Sequence, residues 1–193
     1  MHPTKTLMEE HQTILRVLAC TEELVSNPVH AEEPRESFVA ILDFIRTYAD
    51  KLHHAKEEDL LFPAMHRRGI PAEQGPIAVM LHEHELGRAF ATRMEAACGE
   101  SDLDLDRAAL AEPAMGYVQL LRSHIAKEDH ILYPMADRIF DDATRQRLAA
   151  DYERVEAERF DVRVHDRYEN WAKDLAVRLG VDQPHYEVMP ACG

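Results

Sequence analysis

Two stretches of this sequence set a histidine four residues before a glutamate: His53 with Glu57, and His124 with Glu128. On a helix that spacing puts both side chains on one face, one turn apart. Imidazole nitrogens suit iron, zinc, copper and nickel, and carboxylate adds a harder oxygen. A single such pair is ordinarily a surface ion pair or a capped core histidine, and short motifs match by chance often. Here the pairs are not isolated. The run Leu52-His53-His54-Ala55-Lys56-Glu57-Glu58-Asp59-Leu60-Leu61-Phe62-Pro63 aligns without gaps against Ser123-His124-Ile125-Ala126-Lys127-Glu128-Asp129-His130-Ile131-Leu132-Tyr133-Pro134. His, Ala, Lys, Glu, Leu and Pro coincide, and the acidic pair and the aromatic match in kind. Upstream, Glu10-His11 echoes Glu83-His84 at nearly the same spacing. A duplicated helix pair follows, in which the first helix corresponds to the third and the second to the fourth.

The repeat yields six candidate metal ligands: His11, His53, Glu57, His84, His124 and Glu128. Two helices facing across a bundle core would present two histidines and two glutamates to one space, and His11 and His84 would each add a ligand from a remaining helix. A glutamate can bridge two ions through its two oxygens. With both bridging, each ion has two imidazoles and two carboxylate oxygens, with room for a bridging oxygen and an exchangeable position for small-molecule chemistry. Burying these groups without a metal would be costly. The three-residue Glu-to-His spacing of ferritin-like di-iron proteins is absent, as is the His-Glu-x-x-His of zinc hydrolases.

The elements that must position these residues are helical. Leu7, Ile14, Leu15, Leu18 and Val25 fall on one stripe, which predicts a helix from Thr4 to about Ser26. Pro34 opens a second helix, which ends or kinks at Pro63 and closes at Arg68-Gly69-Ile70-Pro71. A third runs from Pro76 to Cys98, with Gly99 as its stop. The fourth spans Arg107 to Phe140, with kinks expected at Pro113 and Pro134. Helices over 144–160 and 162–179 and an irregular tail complete the chain. Few glycines (7) and abundant Leu, Ala, Glu and Arg fit an all-α fold. Short connections imply an antiparallel up-down four-helix bundle. The expected division is a metal-binding bundle over residues 1–140 and a C-terminal helical extension over 141–193. The extension is read as helices packed on the bundle, through Val162, Tyr168, Trp171, Leu175 and Leu179, in preference to a homodimer or partner surface.

A formal net charge of −14 argues against nucleic acid or an anionic membrane as partner. No run of 18 apolar residues occurs, and the N-terminal segment does not read as a signal peptide. Cys20, Cys98 and Cys192 are distant from one another and odd in number, which argues against a disulfide framework or a zinc ribbon and leaves the cytoplasm as the default compartment.

The runs "HHAKEEDLLFP" and "HIAKEDHILYP", with "EEH" in the first helix and "EHELGR" in the third, resemble the hemerythrin-like (HHE cation-binding) domain over about residues 1–140. The resemblance implies a four-helix bundle with a non-haem di-iron centre, two iron ions joined by an oxo or hydroxo bridge. It places the ligand roles on His11, His53, Glu57, His84, His124 and Glu128, with the glutamates as bridges. Family members bind oxygen, sense oxygen or iron, or handle peroxide or nitric oxide. Oxygen carriers of the family have a further histidine four before the third-helix ligand, where this chain has Met80, and they space the last His and acid by five. A site lacking that nitrogen points away from oxygen carriage and toward peroxide or nitric oxide chemistry, or sensing.

Other residues carry less. The repeat aligns His54 with Ile125, so the register of His53 and Glu57 is preferred over His54 and Glu58. Glu58 is then a variable ligand or a partner that holds one. His82 falls off the site face, and His130 packs locally. His2, His30, His66, His165 and His185 have no partner at metal spacing and read as surface residues. Tyr48, Tyr117 and Tyr133 read as core, and Cys20 and Cys98 as inert buried thiols.

Overall fold

The computed structural model describes residues 2–30, 32–161 and 163–181. Val162, His185, Cys192 and the expected irregular tail lie outside the described residues. Among the described residues every regular element is helical. Helix α1 (Pro3–Ser26) is followed by a 3₁₀ turn (Pro28–His30). A second long helical segment comprises α2 (Arg35–Phe44), π-helical stretches over Ile45–His54 and Glu57–Leu61, and α3 (Phe62–Arg67). Then come α4 (Pro76–Cys98) and a fourth segment of α5 (Arg107–Lys127), a π-helical turn (Glu128–Leu132) and α6 (Tyr133–Ile139). Helices α7 (Asp142–Arg159) and α8 (Val164–Leu179) end the described chain. None of these helices is long and apolar enough to cross a membrane.

Local chemistry sets the ends. Pro3 and Pro76 occupy first turns, where a missing N–H is harmless. Asp106 and Asp141 accept from the Ala109 and Thr144 N–H groups to cap α5 and α7. Gly99 stops α4 at φ 60°, and a Cβ there would sit 2.4 Å from the Asp104 Cβ.

Pro63 and Pro134 do not break their helices. The turn before each widens to π geometry, and the Phe62 and Tyr133 N–H groups reach back five residues to the carbonyls of Glu57 and Glu128. A proline ring collides with the carbonyl four residues earlier. The wider turn absorbs that conflict, and it begins in both copies at the glutamate of the repeat.

Partner residues run in opposite order along neighbouring segments. Thr4 meets Asp137, His11 meets Asp129, Glu22 meets Arg122 and Ser26 meets Met115, so α1 is antiparallel to α5–α6. Arg46–Glu95 and Glu58–His84 reverse order in the same way between the second segment and α4.

The core is split. One apolar cluster holds Ile14, Leu18, Tyr48, Leu52, Leu121 and Ile125, and the other holds Leu7, Leu61, Met65, Ile77, Met80 and Tyr133. Along each of the four long segments, the candidate ligands fall between residues of the first cluster and residues of the second. They form a polar belt. Helix α8 packs Tyr168, Leu175 and Leu179 into the first cluster, with Trp171 beside it, while Leu148 and Tyr152 of α7 join the second.

Candidate metal centre

The six residues singled out by the repeat meet in this belt, and each is at most 1% exposed. The histidines pair. His11 Nε2 lies 3.0 Å from His53 Nε2, and His84 Nε2 lies 3.1 Å from His124 Nε2. Each glutamate reaches one histidine of both pairs. Glu128 lies 3.3 Å from His11 Nε2 and 3.1 Å from His124 Nε2, and Glu57 lies 3.4 Å from His84 Nε2 and 3.8 Å from His53 Nε2. Yet Glu57 Oε2 and both oxygens of Glu128 make no hydrogen bond. Buried polar atoms in a native fold are ordinarily satisfied, so orphaned carboxylate oxygens facing ring nitrogens are what a cation-binding donor set looks like. Two groups have ligand atoms within 4.8 Å of one another: His11, His53 and Glu128, and His54, Glu57, His84 and His124. Nitrogen with carboxylate oxygen fits a divalent or trivalent transition metal.

The outer nitrogen of each ring is held by a carboxylate. Nδ1 of His11 meets Asp129 at 2.8 Å and that of His53 meets Glu10 at 2.8 Å. Nδ1 of His84 meets Glu58 at 2.6 Å and that of His124 meets Glu83 at 2.9 Å. Cations stand behind three of these acids: Lys56 behind Glu10, Lys127 behind Glu83, and Arg88, at 2.8 Å, behind Glu58. With Nδ1 held outward, loss of the Nε2 proton would leave a lone pair aimed into the belt.

The charges respond to this packing. Burial would raise the Glu10 carboxyl, but His53 and Lys56 outweigh it and hold it at about 2. Burial disfavours a charged His11, yet Asp129 and Glu128 push it up to about 9, and Glu128 and Glu83 push His124 up to about 10 against the same penalty. Burial works against a charged Glu128 as well, but the adjacent His124 and His11 keep it well below the carboxylate range. Without an ion, histidine protons balance the buried carboxylates.

Several participants escaped the sequence reading. Tyr133, taken as core, donates its hydroxyl to Glu57 Oε1 at 2.8 Å and lies 3.4 Å from His11 Nε2. Its twin in the repeat is Phe62, so the alignment shows only an aromatic. Glu10 and Glu83 directly precede His11 and His84 in the duplicated motif and Asp129 directly follows Glu128, and that duplication was the available signal. His54, set aside because its twin is Ile125, is buried and stacks on His84 with ring centroids 3.8 Å apart. The π-helical stretch Ile45–His54 explains this, because more residues per turn reduce the angle between adjacent side chains. The equivalent stretch before His124 is ordinary α-helix. Glu58 holds His84, as one of its two expected roles allowed, while His82 is exposed and His130 bonds locally to the Ala126 carbonyl.

His165 departs from its expected surface role. Its Nε2 lies 3.0 Å from Glu156, which pairs with the fully buried Lys56. Thus α7 and α8 touch the group that holds Glu10 behind His53. Glu10, Glu156 and His165 have metal-like spacing, but the Lys56 ammonium already supplies their positive charge. Cys20 and Cys98 are buried thiols, and burial pushes Cys20 up to about 11.

The uncharacterized proteins Rv1995 of Mycobacterium tuberculosis and Mb2018 of Mycobacterium bovis are each 23% identical over 178 residues, covering 91% of this chain and 69% of the relative. No solved structure matches. The family model described as the hemerythrin HHE cation binding domain matches residues 2–136. Running from α1 into α6 and stopping before α7, that match shows that the chain belongs to the hemerythrin HHE cation-binding family.

Proposed function

We propose that this protein is a non-haem di-iron protein that binds or reacts with a small oxidant (oxygen, peroxide or nitric oxide) as a sensor or scavenger. His11 and His53 serve one ion, His84 and His124 serve the other, and Glu57 and Glu128 bridge them. The observation that carries this reading is the pair of buried glutamates with unpartnered oxygens, each set between one histidine of both pairs. Such an iron pair supplies reversible redox chemistry and an exchangeable coordination position. The chain supplies the rest. Outer carboxylates orient the rings, the two apolar clusters keep bulk water out, and the Tyr133 hydroxyl offers a proton-bearing group beside Glu57. In this reading residues 1–140 form the metal-binding up-down bundle and residues 141–193 its extension.

The test is iron content per chain with the visible spectrum of the oxidised protein, before and after hydrogen peroxide. Two irons per chain with oxo-bridge absorption that changes on peroxide addition supports the reading. Zinc or no metal, with a featureless spectrum, removes it.

The link from Glu10 through Lys56 to Glu156 favours one alternative: a metal-sensing interaction protein without turnover, in which α7 and α8 report occupancy. Metal-dependent hydrogen-exchange protection of α7 and α8 supports it, and identical protection with and without metal counts against it.

A further inference from the structure

A groove of about 280 Å³ opens between α1, α7 and α8. Glu9 and Glu10 of α1, Tyr152, Glu153 and Glu156 of α7, and His165 and Glu169 of α8 line it. Glu10 and Tyr152 form its deep end, each only 3% exposed. The Tyr152 hydroxyl is buried and makes no hydrogen bond. Its ring shares the second apolar cluster with Tyr133 and Leu61, and lies 5.9 Å from the ammonium of Lys56, the residue before Glu57. Burial, then the charges of Glu57 and Glu10, push the phenol well above its usual range, so a glutamate of the belt and a glutamate of the groove both act on it. A phenylalanine would fill the cluster as well without burying a hydroxyl. An orphaned donor between an open groove and a candidate reaction site fits an acceptor that arrives from solution.

The lining also sets what can pass. Five carboxylates face one imidazole, and the Lys56 ammonium is buried behind Glu10 and Glu156. Lys5 and Lys173 approach Glu9 and Glu169 no closer than 3.6 Å and do not line the groove. With a net charge of −14 on the whole chain, this mouth repels anions and admits neutral molecules. We infer that the groove between α1, α7 and α8 is the entrance by which an uncharged small oxidant reaches the belt, and that the Tyr152 hydroxyl is the hydrogen-bond donor it meets there. The inference rests on the di-metal reading and deepens it. It selects uncharged molecules such as hydrogen peroxide and nitric oxide over anionic oxidants, and it gives the C-terminal extension a part in the chemistry. The family match ends at residue 136, before α7, so this donor comes from outside the matched segment.

The experiment loads three proteins with iron: wild type, the double variant Glu153→Gln with Glu169→Gln, and Tyr152→Phe. Stopped-flow visible absorption follows the reaction with hydrogen peroxide and the binding of azide, an anion. In the double variant the azide rate should rise relative to the peroxide rate by about fivefold or more at low salt, and the gain should shrink as salt is added. Tyr152→Phe should hold the wild-type amount of iron and react with hydrogen peroxide about tenfold or more slowly. Its metal-stripped form should melt no lower than wild type, because the hydroxyl has no partner in the fold to lose. An unchanged azide-to-peroxide ratio in the double variant overturns the entrance. An unchanged peroxide rate in Tyr152→Phe, a lower melting temperature without metal, or failure to fold overturns the donor. Each of these results leaves the di-metal reading standing. Wild-type protein that takes up no iron overturns that reading and this inference with it.

Discussion

The hydroxyl of Tyr133 donates to Glu57 Oε1 at 2.8 Å from across the bundle, in a position where the other copy of the repeat has Phe62. Burial, then the charges of Glu128 and Glu57, push this phenol well above its usual range, so it stays protonated. On the di-metal reading Tyr133→Phe should therefore retain both ions, because it removes none of the proposed ligands. It loses a charge-assisted hydrogen bond worth about 1.5–3 kcal/mol. Thermal melts should show that loss, and the spectral change on peroxide addition should differ from wild type. Loss of iron from the variant would assign Tyr133 to building the site instead.

Glu128 touches one histidine of both pairs, so on the di-metal reading a single substitution there should affect both ions. Glu128→Gln keeps the shape and removes the charge. Metal per chain, measured by elemental analysis, should fall to about half or less of the wild-type value, because an amide is a poor bridge between two cations. Wild-type stoichiometry in this variant would count against a bridging role.

Acidity should act on metal uptake and on the metal-stripped fold in opposite directions. His11 and His124 are raised from 6.5 to about 9 and about 10 in the folded chain. A raised imidazole stabilises the fold fully below 6.5, and that contribution is lost as pH rises through the folded values. The melting temperature of metal-stripped protein should thus fall between pH 7 and pH 10. Metal must displace these protons, so its affinity should rise over the same interval. A flat melting temperature from pH 7 to pH 10 would refute the balance of charge described above.

The two lysines of the repeat should differ in importance. Lys56 is fully buried between Glu10 and Glu156, whereas the Lys127 side chain beside Glu83 is 34% exposed. Removing one member of a buried pair costs about 3–5 kcal/mol, and an exposed pair is worth about 0–1 kcal/mol. Urea denaturation of Lys56→Met and Lys127→Met measures the difference. Equal losses would contradict the packing of α7 and α8 over Lys56.

Two helical glycines give a paired test of packing. A Cβ on Gly87 would meet Leu121 and Tyr117 at 3.5 and 3.6 Å, an ordinary contact, so Gly87→Ala should gain up to about 1 kcal/mol of helix propensity. On Gly116 it would come 2.5 Å from the Phe90 ring, so Gly116→Ala should lose about 1–3 kcal/mol by overpacking. Denaturation midpoints check both signs.

How far the sequence could be read depended on what the duplication recorded. The meeting of His53, Glu57, His124 and Glu128 in one belt was legible because two copies state the same pattern, and that of His11 and His84 from the echo upstream. Helix ends were legible where prolines and Gly99 mark them locally, while the caps formed by Asp106 and Asp141 were not read from the sequence. Three features left no such mark. Tyr133 differs from its twin by a single hydroxyl, and His54 reaches the belt only because its turn is π-helical. His165 belongs to an extension with no second copy to compare. Prolines 63 and 134 read as kinks because proline opposes the α-helix, and the fold instead widens the turn that each glutamate begins.

The grip of α7 and α8 has a kinetic consequence. Helix α7 is anchored in the apolar cluster on one side of the belt and α8 in the cluster on the other, with Glu156 and His165 lying over Lys56 between them. A fluctuation that parts the two clusters would also strain this clasp. If the belt holds an ion, its residence time should depend on the opening rate of the extension as well as on the ligands. On the di-metal reading, breaking the Lys56–Glu156 contact should therefore speed the loss of metal to a chelator more than it lowers equilibrium affinity.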